Sequence, residues 1–136
     1  MELTAEILLP GDAACGECLA LTAPISFWGG VDPTTGTIID ARHPQRGRNV
    51  AGTILALPGT IGSSSASAVL LELVHAGRAP AALLLDAPDA ILLLGLVVAR
   101  EMGWRTPPAF RLPAAQQPRL AGRQLVISAE GSISPG

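Results

Sequence analysis

"VAGTILALPGTIGSSSASAVLLELVHAGRAPAALLL", residues 50–85, changes its hydrophobic period twice. Val50 to Leu57 is a mostly apolar stretch that stops at Pro58-Gly59 and reads as a strand. From Ser63 the spacing becomes helical, with Val69, Leu70, Leu73 and Val74 on one face and Gly77 placed to end the helix. Ala81 to Leu85 is a continuous apolar run, suited to a strand covered on both faces. Strand, helix and strand in this order favour a layered α/β domain over a helical bundle or a pure barrel.

Working outward, the N-terminal side is richer in strands. Leu3 to Leu9 alternates as a strand does, residues 10–16 form a turn, and Cys18 to Thr22 gives a second short strand. Residues 23–36, "APISFWGGVDPTTG", are a shaped loop, because Gly29-Gly30 permits positive φ and Asp32-Pro33 starts a turn. Thr37 to Asp40 is β-branched and extended, and residues 41–49 are a polar connection. On the C-terminal side, Asp86 to Pro88 supplies the cap and first turn of a second helix ending near Gly103. Short strands follow at Ala109 to Leu112 and Gln124 to Ser128. Residues 1–128 therefore form one domain, and residues 129–136 a flexible tail. The β-rich first half makes a β/β/α arrangement the expected one.

The chain has 136 residues, enough for one core and too few for two. Its hydrophobic content of 49% against 15% charged residues implies extensive burial, in part against another polypeptide, so the isolated chain is expected to self-associate. The nine basic residues are scattered and the net charge is -2, which leaves no footprint for nucleic acid or an anionic membrane. Asp86, Pro88 and Asp89 interrupt the most apolar stretch, so no membrane span is expected. The acidic start "MELTAEILLPGD" does not resemble an export signal, and a cytoplasmic location follows by default.

Cys15-Gly16-Glu17-Cys18 is the one spacing that suggests redox or metal chemistry. Zinc would need two further ligands, and His43 and His75 are neither paired nor close in sequence. The segment after Cys18 reads as a strand rather than the helix that a thioredoxin-like site requires. Both cysteines are therefore expected to be reduced structural thiols, with no metal on this chain. His43, beside Pro44, and His75, on a helix, are expected at surface or partly packed positions.

The polar emphasis lies at the front of the first helix. Ser63, Ser64, Ser65 and Ser67 follow a turn bracketed by Gly59 and Gly62. One of them is expected to cap the helix. A plain capped turn remains one reading. The other is that the glycines let the backbone approach a bound anion at the helix N-terminus. The loop has no lysine before its hydroxyls, so it is not a P-loop, and it is not a G-x-S-x-G elbow.

Two separated motifs, Ser26-Phe27-Trp28-Gly29-Gly30-Val31-Asp32-Pro33 and Gly62-Ser63-Ser64-Ser65, together resemble the small subunit, or swivel domain, of the aconitase X family. The likeness runs from the first strand to Ser128. It implies a swivelling β/β/α three-layer domain that closes over a large catalytic subunit carrying an iron-sulfur cluster, in a heterodimer. The family dehydrates hydroxy acids: cis-3-hydroxy-L-proline in bacteria, (R)-5-phosphomevalonate in archaea. By the same resemblance Ser63 is the general base, Ser26, Gly62, Ser64 and Ser65 bind substrate, and Trp28, Gly29, Gly30 and Asp32 lie at the cleft or interface. Iron on the partner would assist the departing hydroxyl.

A bland account of that last loop is that Phe27 and Trp28 anchor the core while Asp32 fixes a turn. The archaeal pattern resembles Gly-Lys/Arg-Gly-Ser, whereas Thr60-Ile61-Gly62-Ser63 stands here. Ile61 offers no charge to a phosphate, which favours hydroxyproline. Two readings of another class are a phosphohistidine carrier using His43 and a non-catalytic binding module. The first is disfavoured because no histidine sits among the serines.

Overall fold

The computed structural model describes residues 3–61 and 64–136. Among these, eight strands form one mixed sheet: β1 (Leu3–Thr4), β2 (Glu6–Leu9), β3 (Ala14–Ala20), β4 (Ile54–Leu57), β5 (Ala82–Leu85), β6 (Ala109–Arg111), β7 (Gln124–Ile127) and β8 (Ser132–Pro135). Their spatial order is β1-β8-β7-β3-β4-β5-β6-β2. The outermost two, β1 and β2, are separated in the chain only by Ala5, so the sheet nearly closes on itself. Ala5 N donates to Gly131 O at 2.8 Å at the junction. Closure leaves little unpaired edge for adventitious strand addition.

One half of the sheet is antiparallel (β1, β8, β7 and the first part of β3). In the other half β3, β4, β5 and β6 run parallel and β2 closes the edge antiparallel to β6. Alternation along β4 and β5 then builds two cores. Ile54, Ala56, Ala82 and Leu84 face inward with Cys18, Phe110, Leu125, Ile127 and Ile133. A single turn, α1 (Phe27–Gly30), lies between β3 and β4. Leu55, Leu57, Leu83 and Leu85 face outward onto Leu70 and Leu73 of α2 (Ala66–His75) and Leu92 and Leu96 of α3 (Ala90–Glu101). Sheet, sheet and helices thus form the three layers of the expected β/β/α domain.

Both helices stop where glycine permits. At the end of α2, Gly77 has φ 71° and Arg78 N donates to Leu73 O at 2.8 Å. At the end of α3, Gly103 has φ 78° and Trp104 N donates to Ala99 O at 3.0 Å. Each pattern is a Schellman closure, which satisfies carbonyls that the last turn would otherwise leave open.

Several expectations need correction. The strand predicted from Cys18 begins at Ala14, so the CxxC segment is strand and not turn. Thr37 to Asp40 is not a strand, although Thr37 and Ile38 each make a single bridge, to Asn49 and Val31. The strand predicted from Val50 starts only at Ile54, because Gly52 at φ 71° turns the chain first. A 3-10 helix over Ala114–Leu120 was not expected. Residues 129–136 are not a loose tail: β8 pairs with both β1 and β7, and Ile133 is buried in the inner core. Pairing on both sides and the burial of Ile133 hold in place a segment expected to fray as a chain terminus. Among the described residues no helix is long and apolar enough to cross a membrane.

Gly95 sits where α3 crosses α2, and a methyl group there would run into the backbone carbonyl of Ser67. Helix propensity alone would make Gly95→Ala stabilising by about 1 kcal/mol. Overpacking against a main-chain atom costs about 1–3 kcal/mol and decides the sign. Gly95→Ala is therefore expected to lower the midpoint of denaturant unfolding, and an unchanged or raised midpoint would contradict this packing.

Candidate active site

Because β4 and β5 are parallel, the loops that leave them emerge side by side at one end of the sheet, where α/β domains commonly bind ligands. A cleft of about 390 Å³ opens there, lined by Leu57, Gly59, Thr60, Leu85, Asp86, Asp89 and Ile91 among others. The 23–36 loop reaches the same end. Ile25 pairs with Thr60 in a parallel bridge, and Ile61 N donates to Ile25 O at 3.0 Å. Half-buried Ser26 is thus brought beside the start of the serine loop.

Of the other predicted site residues, Ser64 is exposed and Ser65 half-buried at the entrance to α2. The expectations placed on Gly62 and Ser63 concern residues outside those described. Ser65 occupies the N-cap position, yet its side chain makes no capping bond. Its backbone is already helical (φ -83°, ψ -11°), whereas a capping hydroxyl reaches the first-turn amides from extended backbone. Ser67 Oγ donates to Ser64 O at 3.2 Å instead.

The second helix does have its cap, but not from the predicted residues. Asp89, in extended conformation, accepts from Leu92 N at 3.0 Å through Oδ1. Its Oδ2 accepts from the Thr60 hydroxyl at 2.7 Å. Asp86 instead accepts from Ala114 N at 2.8 Å, pinning the segment after β6. Sequence reasoning did not single out Thr60 or Asp89 for the site. The available signal was Asp89 three residues before Leu92, the spacing of an N-cap.

The Ser26–Asp32 loop divides between the two readings given to it. Phe27 is buried in the outer core, while Trp28 is 62% exposed. Trp28 (φ -70°, ψ 116°) and Gly29 (φ 78°, ψ -13°) have the dihedrals of a type II turn, which accounts for glycine at the second position. Gly30 is buried, and Asp32 Oδ1 accepts from Thr34 N at 2.8 Å to fix the following turn. His43 is buried and structural: Nε2 lies 3.0 Å from Ala23 O, and Nδ1 accepts from Gln45 N at 3.0 Å. With both ring nitrogens engaged, His43 has no free atom to carry a phosphoryl group. His75 stacks on Trp104 at 4.8 Å between ring centroids.

A sequence model of the aconitase X swivel domain matches residues 2–133. The cis-3-hydroxy-L-proline dehydratase of Pseudomonas aeruginosa is 51% identical over 100 residues, which is 74% of this chain but only 17% of that protein. The phosphomevalonate dehydratase small subunit of Methanothermobacter thermautotrophicus is 37% identical over 99 residues, 73% of this chain and 75% of that one. The crystal structure of Thermococcus kodakaraensis aconitase X in its holo form superposes with a TM-score of 0.85 at 28% identity, covering 100% of this chain and 98% of that chain.

The cysteines stand apart from this cleft and from each other. Three positions apart on one strand, they face opposite ways: Cys15 is exposed and Cys18 is buried in the inner core. Burial, with a smaller contribution from Glu17, pushes the Cys18 thiol up to about 11. At pH 8 a thiol reagent should therefore modify Cys15 in the native protein and Cys18 only after unfolding. The raised value also means that the native fold disfavours the Cys18 thiolate. Stability from this group should be intact below the ordinary thiol range and decline as pH rises toward about 11. Cys18→Ala should flatten that alkaline loss in denaturant titrations, and equal labelling of both native thiols would contradict the assignment.

Proposed function

Because the chain belongs to the aconitase X swivel domain family, we propose that it is the small subunit of a two-component hydro-lyase that dehydrates cis-3-hydroxy-L-proline. The observation that carries the substrate choice is the chemistry of the cleft. Asp86 and Asp89 line it, and no arginine or lysine is among its described lining residues. On this chain's side of the cleft a substrate phosphate would face two carboxylates and no cation. The ring ammonium of hydroxyproline would be attracted by the same groups. Ile61, exposed at the turn into the serine loop, adds no charge for a phosphate either.

In this reading Ser63, as its alkoxide, takes the proton from the carbon next to the substrate carboxylate; the C–H electron pair becomes a C=C bond as the C–O bond on the neighbouring carbon breaks, and the proton and departing hydroxide together make up the water lost. A serine hydroxyl is a poor base unless its alkoxide is stabilised. Main-chain amides at a helix start supply positive potential for that purpose. Ser26 comes from the adjoining loop to meet the substrate, with Ser64 and Ser65 beside the base.

The rest of the site belongs to a large partner. In the Pseudomonas aeruginosa relative the matching segment is 17% of one continuous protein, so most of that dehydratase lies outside this domain. Ile91, Leu94, Val98 and Met102 recur at helical spacing along the exposed side of α3. An apolar stripe of that kind suits a protein interface and is costly in water. The described residues of this chain do not fit an iron-sulfur group: its two cysteines diverge, one of them is held protonated, and no cluster of three metal-binding side chains occurs among them. We assign the cluster to the partner.

Reconstitution with a large aconitase X subunit should yield dehydratase activity on cis-3-hydroxy-L-proline well above that on phosphomevalonate. Ser63→Ala should lower kcat by about a hundredfold or more, the scale of a lost general base, while assembly persists. Leu94→Lys should weaken co-purification with the large subunit. Normal turnover by Ser63→Ala would refute the base, and a preference for phosphomevalonate would refute the substrate.

A further inference from the structure

The strongest unassigned feature is a carboxylate that joins the serine loop to the second helix. Asp89 divides its two oxygens between two elements. Oδ1 accepts from Leu92 N at 3.0 Å and caps α3, while Oδ2 accepts from Thr60 Oγ1 at 2.7 Å. The second bond is short and charge-assisted, the kind that outlasts neutral surface contacts. It is also partly sheltered, because both residues are half-buried.

Thr60 is held from a second direction as well. It bridges Ile25, and the next amide, Ile61 N, donates to Ile25 O at 3.0 Å. Just upstream, Gly59 lies against Pro24 closely enough that a side chain there would touch the proline ring. The start of α3, the end of β4 and the Ser26 loop therefore meet at one threonine. Downstream, the carbonyl of Ser65 accepts from Ala68 N and Val69 N in the first turn of α2. Thr60 thus lies at the entry to the serine loop and Ser65 at the start of the helix that follows it.

We propose that Thr60 and Asp89 act together as positioning residues, a side-chain clasp that fixes the point at which the chain enters the serine loop. The clasp rests on the reading of Ser63 as the base. Its physical effect is orientational: proton abstraction falls steeply when the base is displaced by about 1 Å. Neither residue is given a proton-transfer role. Asp89 acts on the loop through Thr60, with one oxygen on the α3 cap and the other on the threonine hydroxyl.

Thr60→Val tests this cleanly, since it removes the hydroxyl, keeps the β-branched shape that the bridge to Ile25 needs, and leaves the Asp89–Leu92 cap in place. In the reconstituted complex it should lower kcat about tenfold or more, with KM and the yield of complex little changed, because the loss is one of orientation. Thr60→Ser should restore most of the rate. A merely structural role would instead lower Tm and the yield of complex while leaving kcat per assembled enzyme within twofold, and that result would overturn the proposal.

A second readout does not depend on the enzyme. In the chain alone, Thr60→Val should speed amide hydrogen exchange at Ile61, Ser64 and Ser65, and Thr60→Ser should reverse the change. If the wild-type complex proves inactive on hydroxy acids, the functional reading fails and exchange alone judges the clasp. Unchanged exchange in Thr60→Val would then overturn it.

Discussion

The structure depends on the parallel pairing of β4 with β5, two strands apolar on both faces. Ile54 to Leu57 lies in register with Ala82 to Leu85, and all eight residues are at most 1% exposed. Each buried leucine in the pair contributes about 2 kcal/mol by removal from water, so a polar group at any of these positions would be costly. The consequence is topological. Two strands buried on both faces need a layer on each side, which the curled antiparallel half of the sheet provides inside and the two helices provide outside. A parallel pair also needs a crossover, and α2 is that crossover.

The same pairing fixes where the cleft opens. Loops after β4 and β5 leave from the same end, so the serine segment and Asp86–Asp89 become neighbours without any sequence proximity. The two helix starts are then finished differently. Asp89 caps α3 with a side chain, whereas Ser65 begins α2 with its backbone already helical and makes no side-chain cap. The Asp89 cap occupies the Leu92 amide within the fold, whereas the serines ahead of α2 outnumber what a single cap needs.

The regular core was legible in the sequence because its periods are long and unbroken. The central strand at Ala82–Leu85, the helix from Ala66 with Gly77 behind it, and the sheet-facing Leu70 and Leu73 all follow from spacing alone. Failures came where tertiary pairing overrode local chemistry. Cys15-Gly16-Glu17 has the composition of a turn, but β7 lies alongside and its main chain satisfies the backbone of Ala14–Glu17. Residues 132–135 were misjudged for the same reason: nothing local announces that two strands await them. Within the site, the serine loop was visible as a composition anomaly. The Thr60–Asp89 bond spans 29 positions and leaves no trace in sequence spacing.

The polarity of the cleft argues that this domain supplies only half of a binding site. A substrate carboxylate needs donors, preferably charged ones, and the side chains lining the cleft offer two carboxylates, a threonine hydroxyl already donated to one of them, and apolar groups. Serine hydroxyls and main-chain amides are suited to a developing charge but weak as the sole anchor of a carboxylate. The arginines sit elsewhere: Arg48 pairs with Glu17, Arg105 with Asp12 and Arg111 with Glu6. On the proposed function, cationic recognition of the substrate then falls to the large partner. The exposed apolar stripe that starts at Ile91, on the rim of the same cleft, gives that covering chain an apolar face to pack against.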